Sequence, residues 1–225
     1  MRERRGETAV NESVEGQRTG ETRRVRKVAI LLFDEVEVLD FSGPYEVFAM
    51  AGKQGGDFEL FTVAEDVRAI RAVGGLKLLP DYAIRECPRP DLLIVPGGMG
   101  TRREVSNLAL LEWIAATAEE CELLLSVCTG ALLLAAAGLL AGLDITTHHN
   151  AIPLLRELAP KSARIREDAR YTDNGRILLS AGVSAGLDIS LHALERLFGQ
   201  ERALQAAGQM EYDWEGAETE RMLFD

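Results

Sequence analysis

An α/β fold, with a doubly wound and mostly parallel sheet sandwiched by helices plus one small β-hairpin, is predicted by three features of this sequence. Short apolar runs recur that are continuous rather than alternating, as expected of strands buried on both faces of a parallel sheet. Helical stretches separate them, giving the strand–helix alternation that such sheets require. Three of the runs end in polar or glycine-bearing turns, at Asp34, at Gly97-Gly98 and at Cys128. Ligands of α/β sheets bind beyond the carboxyl ends of the strands, so these three ends define where a site belongs.

Taken in order, residues 25–33 (VRKVAILLF) form the first strand. Gly43-Pro44 opens a helix over residues 45–51, with Pro44 in the first turn, and Gly55-Gly56 breaks it. Residues 58–63 form the next strand, residues 76–79 a shorter extended piece, and residues 91–95 a third buried strand ending in Pro96-Gly97-Gly98. A helix over residues 108–120 leads into a strand over residues 123–127. The small-residue run 129–137 is helical and closes at Gly138 and Gly142, followed by a short strand at residues 145–147. Asn150 caps a helix over residues 151–158. Residues 163–180 read as two strands joined at Asp173-Asn174-Gly175, where Asn-Gly supplies the positive φ of a tight turn. Ser184 caps a long helix to about Phe198, and no structure is assigned after Met210.

With 225 residues, 47% of them hydrophobic and 27% charged, the chain can bury one sizeable core, expected over residues 25–210. Residues 1–24 are polar and are expected to be a disordered tail, with neither the apolar segment of a signal peptide nor the acid-poor composition of a transit peptide. Residues 211–225 are expected to be an acidic C-terminal tail. No apolar run reaches about 18 residues, so no membrane partner is expected. A formal net charge of −11 argues against nucleic acid as a partner. Cys87, Cys121 and Cys128 show no CxxC and no Cys/His cluster, which speaks against disulfides and a metal site and fits the cytoplasm.

Cys128 lies where the apolar run LLLSV meets the helical run, with the small residues Ser126 and Gly130 two positions to either side. A strained strand-to-helix turn of this kind holds a nucleophile above a sheet. The helix N-terminus is expected to favour the thiolate. Asp40 and the amides of Gly97, Gly98 and Thr129 are candidates for the base and for the donors that meet developing charge. Asp40 serves equally as a turn-forming residue beside Ser42-Gly43-Pro44. His148 is a second candidate base, or a polar residue closing a helix N-terminus. Glu46 is a further possible partner but reads better as a solvated helix-face carboxylate. His192 reads as a packing or surface residue, and Arg170 and Arg176 as part of a solvated charged face.

Four ordered motifs, DFSGPYEVF at Asp40, VPGG at Val95, SVCTGA at Ser126 and AGLLAG with TTH at Ala137 and Thr146, resemble the DJ-1/PfpI superfamily with its flavodoxin-like, class I glutamine-amidotransferase-like fold. The Asp-Phe-Ser-Gly-Pro and Cys-Thr-Gly pair is most similar to the isonitrile hydratase branch and to the sensor domains of related regulators. The resemblance implies that Cys128 attacks the terminal carbon of an isonitrile, that Asp40 handles the proton and that Thr129 positions the intermediate, with no cofactor. It also implies a homodimer acting on a small-molecule substrate. Thr129 stands where the protease-like branch carries His, which disfavours peptidase activity. With 15 residues after Met210, the helix-turn-helix module of the regulators and regulation by direct DNA contact are not expected. Two other readings use the same thiol: glyoxalase-like conversion of small α-oxoaldehydes with Glu46 and His148, and a redox or stress sensor based on oxidation of Cys128.

Overall fold

Burial on both faces places three strands at the centre of the molecule: β1 (Arg26–Leu31), β6 (Leu92–Val95) and β7 (Leu123–Ser126). Every residue of β6 and β7 is buried, as the unbroken apolar runs require. The computed structural model describes residues 24–53, 56–214 and 216. Its main sheet adds β2 (Phe58–Ala64), β5 (Tyr82–Ala83), β10 (Tyr171–Asp173) and β11 (Ile177–Ser180). The order is β10-β11-β7-β6-β1-β2-β5. All neighbours are parallel except β10 and β11, with Ile30 opposite Ile94 and Ile94 opposite Leu125 in the centre. A doubly wound, mostly parallel sheet is thus the observed architecture.

The helices follow the strands: α1 (Val38–Lys53) after β1, α2 (Thr101–Glu104) and α3 (Leu108–Glu120) after β6, and α4 (Gly130–Ala136) after β7. Then come α5 (Ile152–Leu158), α6 (Ala185–Phe198) and α7 (Gln200–Gln209). One large apolar cluster fills the space between sheet and helices. A second, smaller one gathers Val47 and Ala51 of α1, Leu191 and Leu194 of α6 and three alanines of α7 around Trp214.

Several local expectations are corrected. Helix α1 begins at Val38, not at residue 45, so Asp40 sits in its first turn rather than in a loop and Pro44 lies inside it. Burial of Phe41, Pro44, Val47, Phe48 and Ala51 against the core carries the helix past the hydrogen bond that proline cannot make. Asn150 is not the cap of α5: His148 Nδ1 accepts the Asn150 N–H at 3.2 Å, and a 3₁₀ turn over His149–Ala151 precedes the helix. In the 163–180 stretch only β10 and β11 form the hairpin, turning at Gly175 with φ 83°. The residues before them supply β9 (Arg164–Ile165), paired in parallel with β8 (Asp144–Ile145) in a separate small sheet. The extended piece near Leu76 is β4 (Lys77–Leu78), antiparallel to β3 (Ile70–Arg71). Ser184 occupies the N-cap position of α6 without a capping hydrogen bond. Helix α7 had no assignment from the sequence.

The expected N-terminal tail lies outside the described residues apart from Arg24, and so does most of the segment after Trp214. Trp214 itself is buried, and the Tyr212 hydroxyl donates to Asp188 Oδ1 at 3.1 Å. Among the described residues no helix is long and apolar enough to cross a membrane.

Candidate active site

The turn after β7 holds Cys128 at φ 56°, in the left-handed region that a residue with a Cβ rarely adopts. Its backbone is pinned on both sides. The Cys128 N–H donates to Ala181 O at 3.0 Å, and the buried Thr147 hydroxyl donates to Cys128 O at 2.8 Å. Gly130 cannot be larger, because a Cβ there would lie 2.1 Å from Val95 O. The strand, the tight turn and the small neighbours together hold the thiol above the carboxyl edge of the sheet, as the sequence indicated.

Asp40, fully buried in the first turn of α1, reaches the same edge. Its Oδ2 accepts the Gly97 N–H at 3.1 Å. Beside it the Thr129 Oγ1 accepts the Gly98 N–H at 2.9 Å and lies 3.1 Å from Gly98 O, to which it donates. A Cβ on Gly97 would lie 2.5 Å from Thr129 N, 2.6 Å from Thr129 Oγ1 and 2.8 Å from Asp40 Oδ2. Gly97 is therefore the place where the turns after β6 and β7 and the start of α1 converge. An isolated bridge between Val36 and Gly98, with the Glu37 N–H donating to Gly97 O at 2.9 Å, fastens the β1 turn to the β6 turn.

The electrostatics of the pair run against the expected thiolate. Burial lifts the Asp40 carboxyl from its ordinary 3.8 to about 7, a rise opposed by the Cys128 thiol and the Gly97 N–H and reinforced by the charge of Glu37. Burial, then the adjacent Asp40 carboxylate, pushes the Cys128 thiol up to about 12, against the pull of the Thr129 and Val183 N–H groups. The seven-residue helix α4 does not offset these two effects. At neutral pH the resting site thus holds a protonated thiol beside a carboxyl group poised near half-ionisation. Such a carboxylate is a competent general base for the thiol proton, because its pKa matches the operating pH.

The other candidates fall differently. The Gly97 and Gly98 amides are not open oxyanion donors: each is already engaged by the side chain of Asp40 or Thr129. Glu46 is exposed on α1. His148 makes no hydrogen bond to Cys128; its ring stacks on His149 at 4.2 Å between centroids, and burial keeps its pKa below the ordinary value. It forms part of the site wall, because a Cβ on Gly182 would lie 2.2 Å from the His148 ring. His192 is a buried residue hydrogen-bonded to Asp173 at 2.8 Å, in line with a packing role.

Three contributors escaped the sequence reading. Thr147 holds the Cys128 carbonyl, Glu37 sets part of the field at Asp40, and Val183 turns its N–H toward both members of the pair. Val183 has φ 47°, a conformation that a β-branched residue takes only under constraint. In the sequence the TTH stretch marks a strand end with a candidate base at His148 and the AGVS segment ends in a helix cap, but neither pattern singles out the Thr147 hydroxyl or the Val183 N–H. Among the described residues no group of three or more His, Cys, Asp or Glu side chains is placed to hold a metal ion.

A family model described as DJ-1/PfpI family matches residues 26–196. Isonitrile hydratase of Pseudomonas putida is 33% identical over 189 residues, covering 83% of this chain and 78% of that protein. The HTH-type transcriptional regulator GbdR of Pseudomonas aeruginosa is 29% identical over 183 residues, 80% of this chain, which spans only 49% of the regulator. Among solved structures, a ThiJ/PfpI family protein from Pseudomonas syringae superposes with a TM-score of 0.77 at 28% identity, over 90% of this chain and 85% of that one. Drosophila melanogaster DJ-1beta, at 18% identity, shares the fold with a TM-score of 0.74 over 84% of this chain and all of that one.

Proposed function

The chain belongs to the DJ-1/PfpI family, and on that premise we propose that it is a cysteine-dependent enzyme that hydrates isonitriles to N-substituted formamides. The observation that carries the reading is that Cys128, held at φ 56° in the turn after β7, shares one sheet edge with Asp40, a fully buried carboxyl that accepts the Gly97 N–H and that burial pushes up to about 7. The likeness to an isonitrile hydratase over most of both chains supplies the substrate class.

The terminal carbon of an isonitrile accepts a nucleophile and a proton at the same atom. Asp40 takes the proton from Cys128 Sγ as the S–C bond forms and delivers it to that carbon, giving a thioimidate, R–N=CH–S. Water then adds to the carbon and its proton reaches nitrogen. Cleavage of the C–S bond releases R–NH–CHO, and the hydroxyl proton returns to sulfur. Thr129, locked to Gly98 by both its hydrogen bonds, fixes the turn on which the thiol is carried. Every step uses one thiol and one carboxyl group.

The two alternatives have less support. Conversion of α-oxoaldehydes relies on Glu46, which is exposed, and on His148, whose ring stacks on His149 and makes no hydrogen bond to Cys128. A redox sensor needs a thiolate at rest, whereas Cys128 holds its proton. The test is incubation of the purified protein with an alkyl isonitrile while formamide is followed, beside Cys128→Ala and Asp40→Asn. Turnover by the wild type and loss in both variants is the expected result. No turnover by a wild type whose Cys128 remains open to alkylation would overturn the substrate assignment.

A further inference from the structure

Arg170, read from the sequence as part of a solvated face, is instead half-buried at the foot of α6. Its Nε donates to Asp188 Oδ2 at 2.7 Å, its Nη2 pairs with the same carboxylate, and that Nη2 also reaches the Ser184 hydroxyl at 3.3 Å. Asp188 is itself buried and accepts the Tyr212 hydroxyl on its other oxygen at 3.1 Å. The Arg170 carbonyl accepts the Ala181 N–H at 2.9 Å, and Ala181 O in turn accepts the Cys128 N–H at 3.0 Å. Arg170 therefore grips the segment 181–184 from both its backbone and its side chain.

That segment is the one that turns the Val183 N–H toward the thiol and Asp40. It is crowded on both flanks: a Cβ on Gly182 would strike the His148 ring, and one on Gly186 would lie 3.0 Å from Val127 Cγ1. The φ of 47° at Val183 is not a conformation the chain adopts unaided. Something must hold it, and the Arg170–Asp188–Ser184 contacts are the polar fastening on the outer side of the segment.

We propose that Arg170 is a positioning residue that, through Asp188 and Ser184, holds the Val183 N–H against the Cys128–Asp40 pair. The proposal rests on Cys128 being the reactive group but not on the isonitrile as substrate. Around the thiol, α1 contributes Asp40 with Glu37 ahead of it, the TTH stretch contributes Thr147 with His148 beyond, and α4 and the 181–184 segment contribute backbone N–H groups.

The test is the pH profile of Cys128 alkylation by iodoacetamide in the full chain, with Cys128→Ala giving the background from Cys87 and Cys121. Arg170→Gln is expected to move the apparent thiol pKa upward by about one unit and slow alkylation at neutral pH about tenfold, the size of one lost hydrogen bond to a charged group. Arg170→Lys keeps the charge but not the forked contact, and is expected to behave like Arg170→Gln. Ser184→Ala, a milder change that leaves the buried ion pair intact, is expected to shift the profile in the same direction by less. An unshifted profile in a folded Arg170→Gln or Ser184→Ala protein, even one with a lowered melting temperature, overturns the proposal. Full recovery in Arg170→Lys does so as well, because it would leave only the charge. Failure of the wild type to hydrate isonitriles leaves this profile readable, so the two proposals fail separately.

Discussion

At the scale of single residues, the site is decided by one buried carboxyl group and by the room around it. The folded-state pKa of Asp40 is about 7, above the ordinary 3.8, so the native protein holds an extra proton between those values. Stability contributed by the neutral carboxyl is therefore present below about pH 4 and is lost as pH rises through 7. Asp40→Asn is expected to stabilise the fold above pH 7 by on the order of 4 kcal/mol, with the gain vanishing near pH 4; chemical denaturation at several pH values checks this. A gain of equal size at pH 4 would mean that desolvation of the charge is not its origin. Gly97→Ala is expected to abolish turnover while leaving a folded protein, since its Cβ would meet Thr129 N at 2.5 Å. Circular dichroism and formamide assays on that variant separate the two effects. At this scale Cys128 was legible because the apolar run, the small neighbours and the helix start coincide there. The roles of Asp40 and Thr129 came from the family resemblance, and Val183 from neither: a backbone N–H leaves no mark on residue type.

At the scale of elements, continuous apolar runs mark the central strands to within two residues at either end, because complete burial leaves a one-dimensional signal. The errors share a cause in tertiary packing. Helix α1 runs through Pro44 because its apolar side is buried along its whole length, so the proline that suggested a start lies in the interior. Helix α7 is polar in composition and stands on the alanines it packs into the small cluster around Trp214. Trp214→Ala is expected to destabilise the protein by about 3 kcal/mol through loss of that cluster's largest side chain, and to leave the Cys128 alkylation profile unchanged. Denaturant midpoints together with the alkylation profile check both halves. A shifted profile would mean that the small cluster and the thiol are more tightly joined than their separate packing indicates.

At the scale of the whole molecule, the parallel sheet brings the ends of β1, β6 and β7 to one edge. That arrangement turns three separate sequence signals into one site. What the alternation of strands and helices could not supply was the contribution from the far end of the chain. The segment after β11 returns to cover the thiol, and its register there follows from packing against His148 and Val127 rather than from any local pattern. In the proposed mechanism Asp40, pushed up to about 7 by burial, is the base for a Cys128 thiol that is protonated at rest. The pH dependence of formamide formation from an alkyl isonitrile tests it most directly. The rate is expected to rise with the ionisation of Asp40 through about pH 7 and then level, and to be lost in Asp40→Asn. A rate that keeps climbing with pH toward the thiol's own ionisation, equally in wild type and Asp40→Asn, would contradict it.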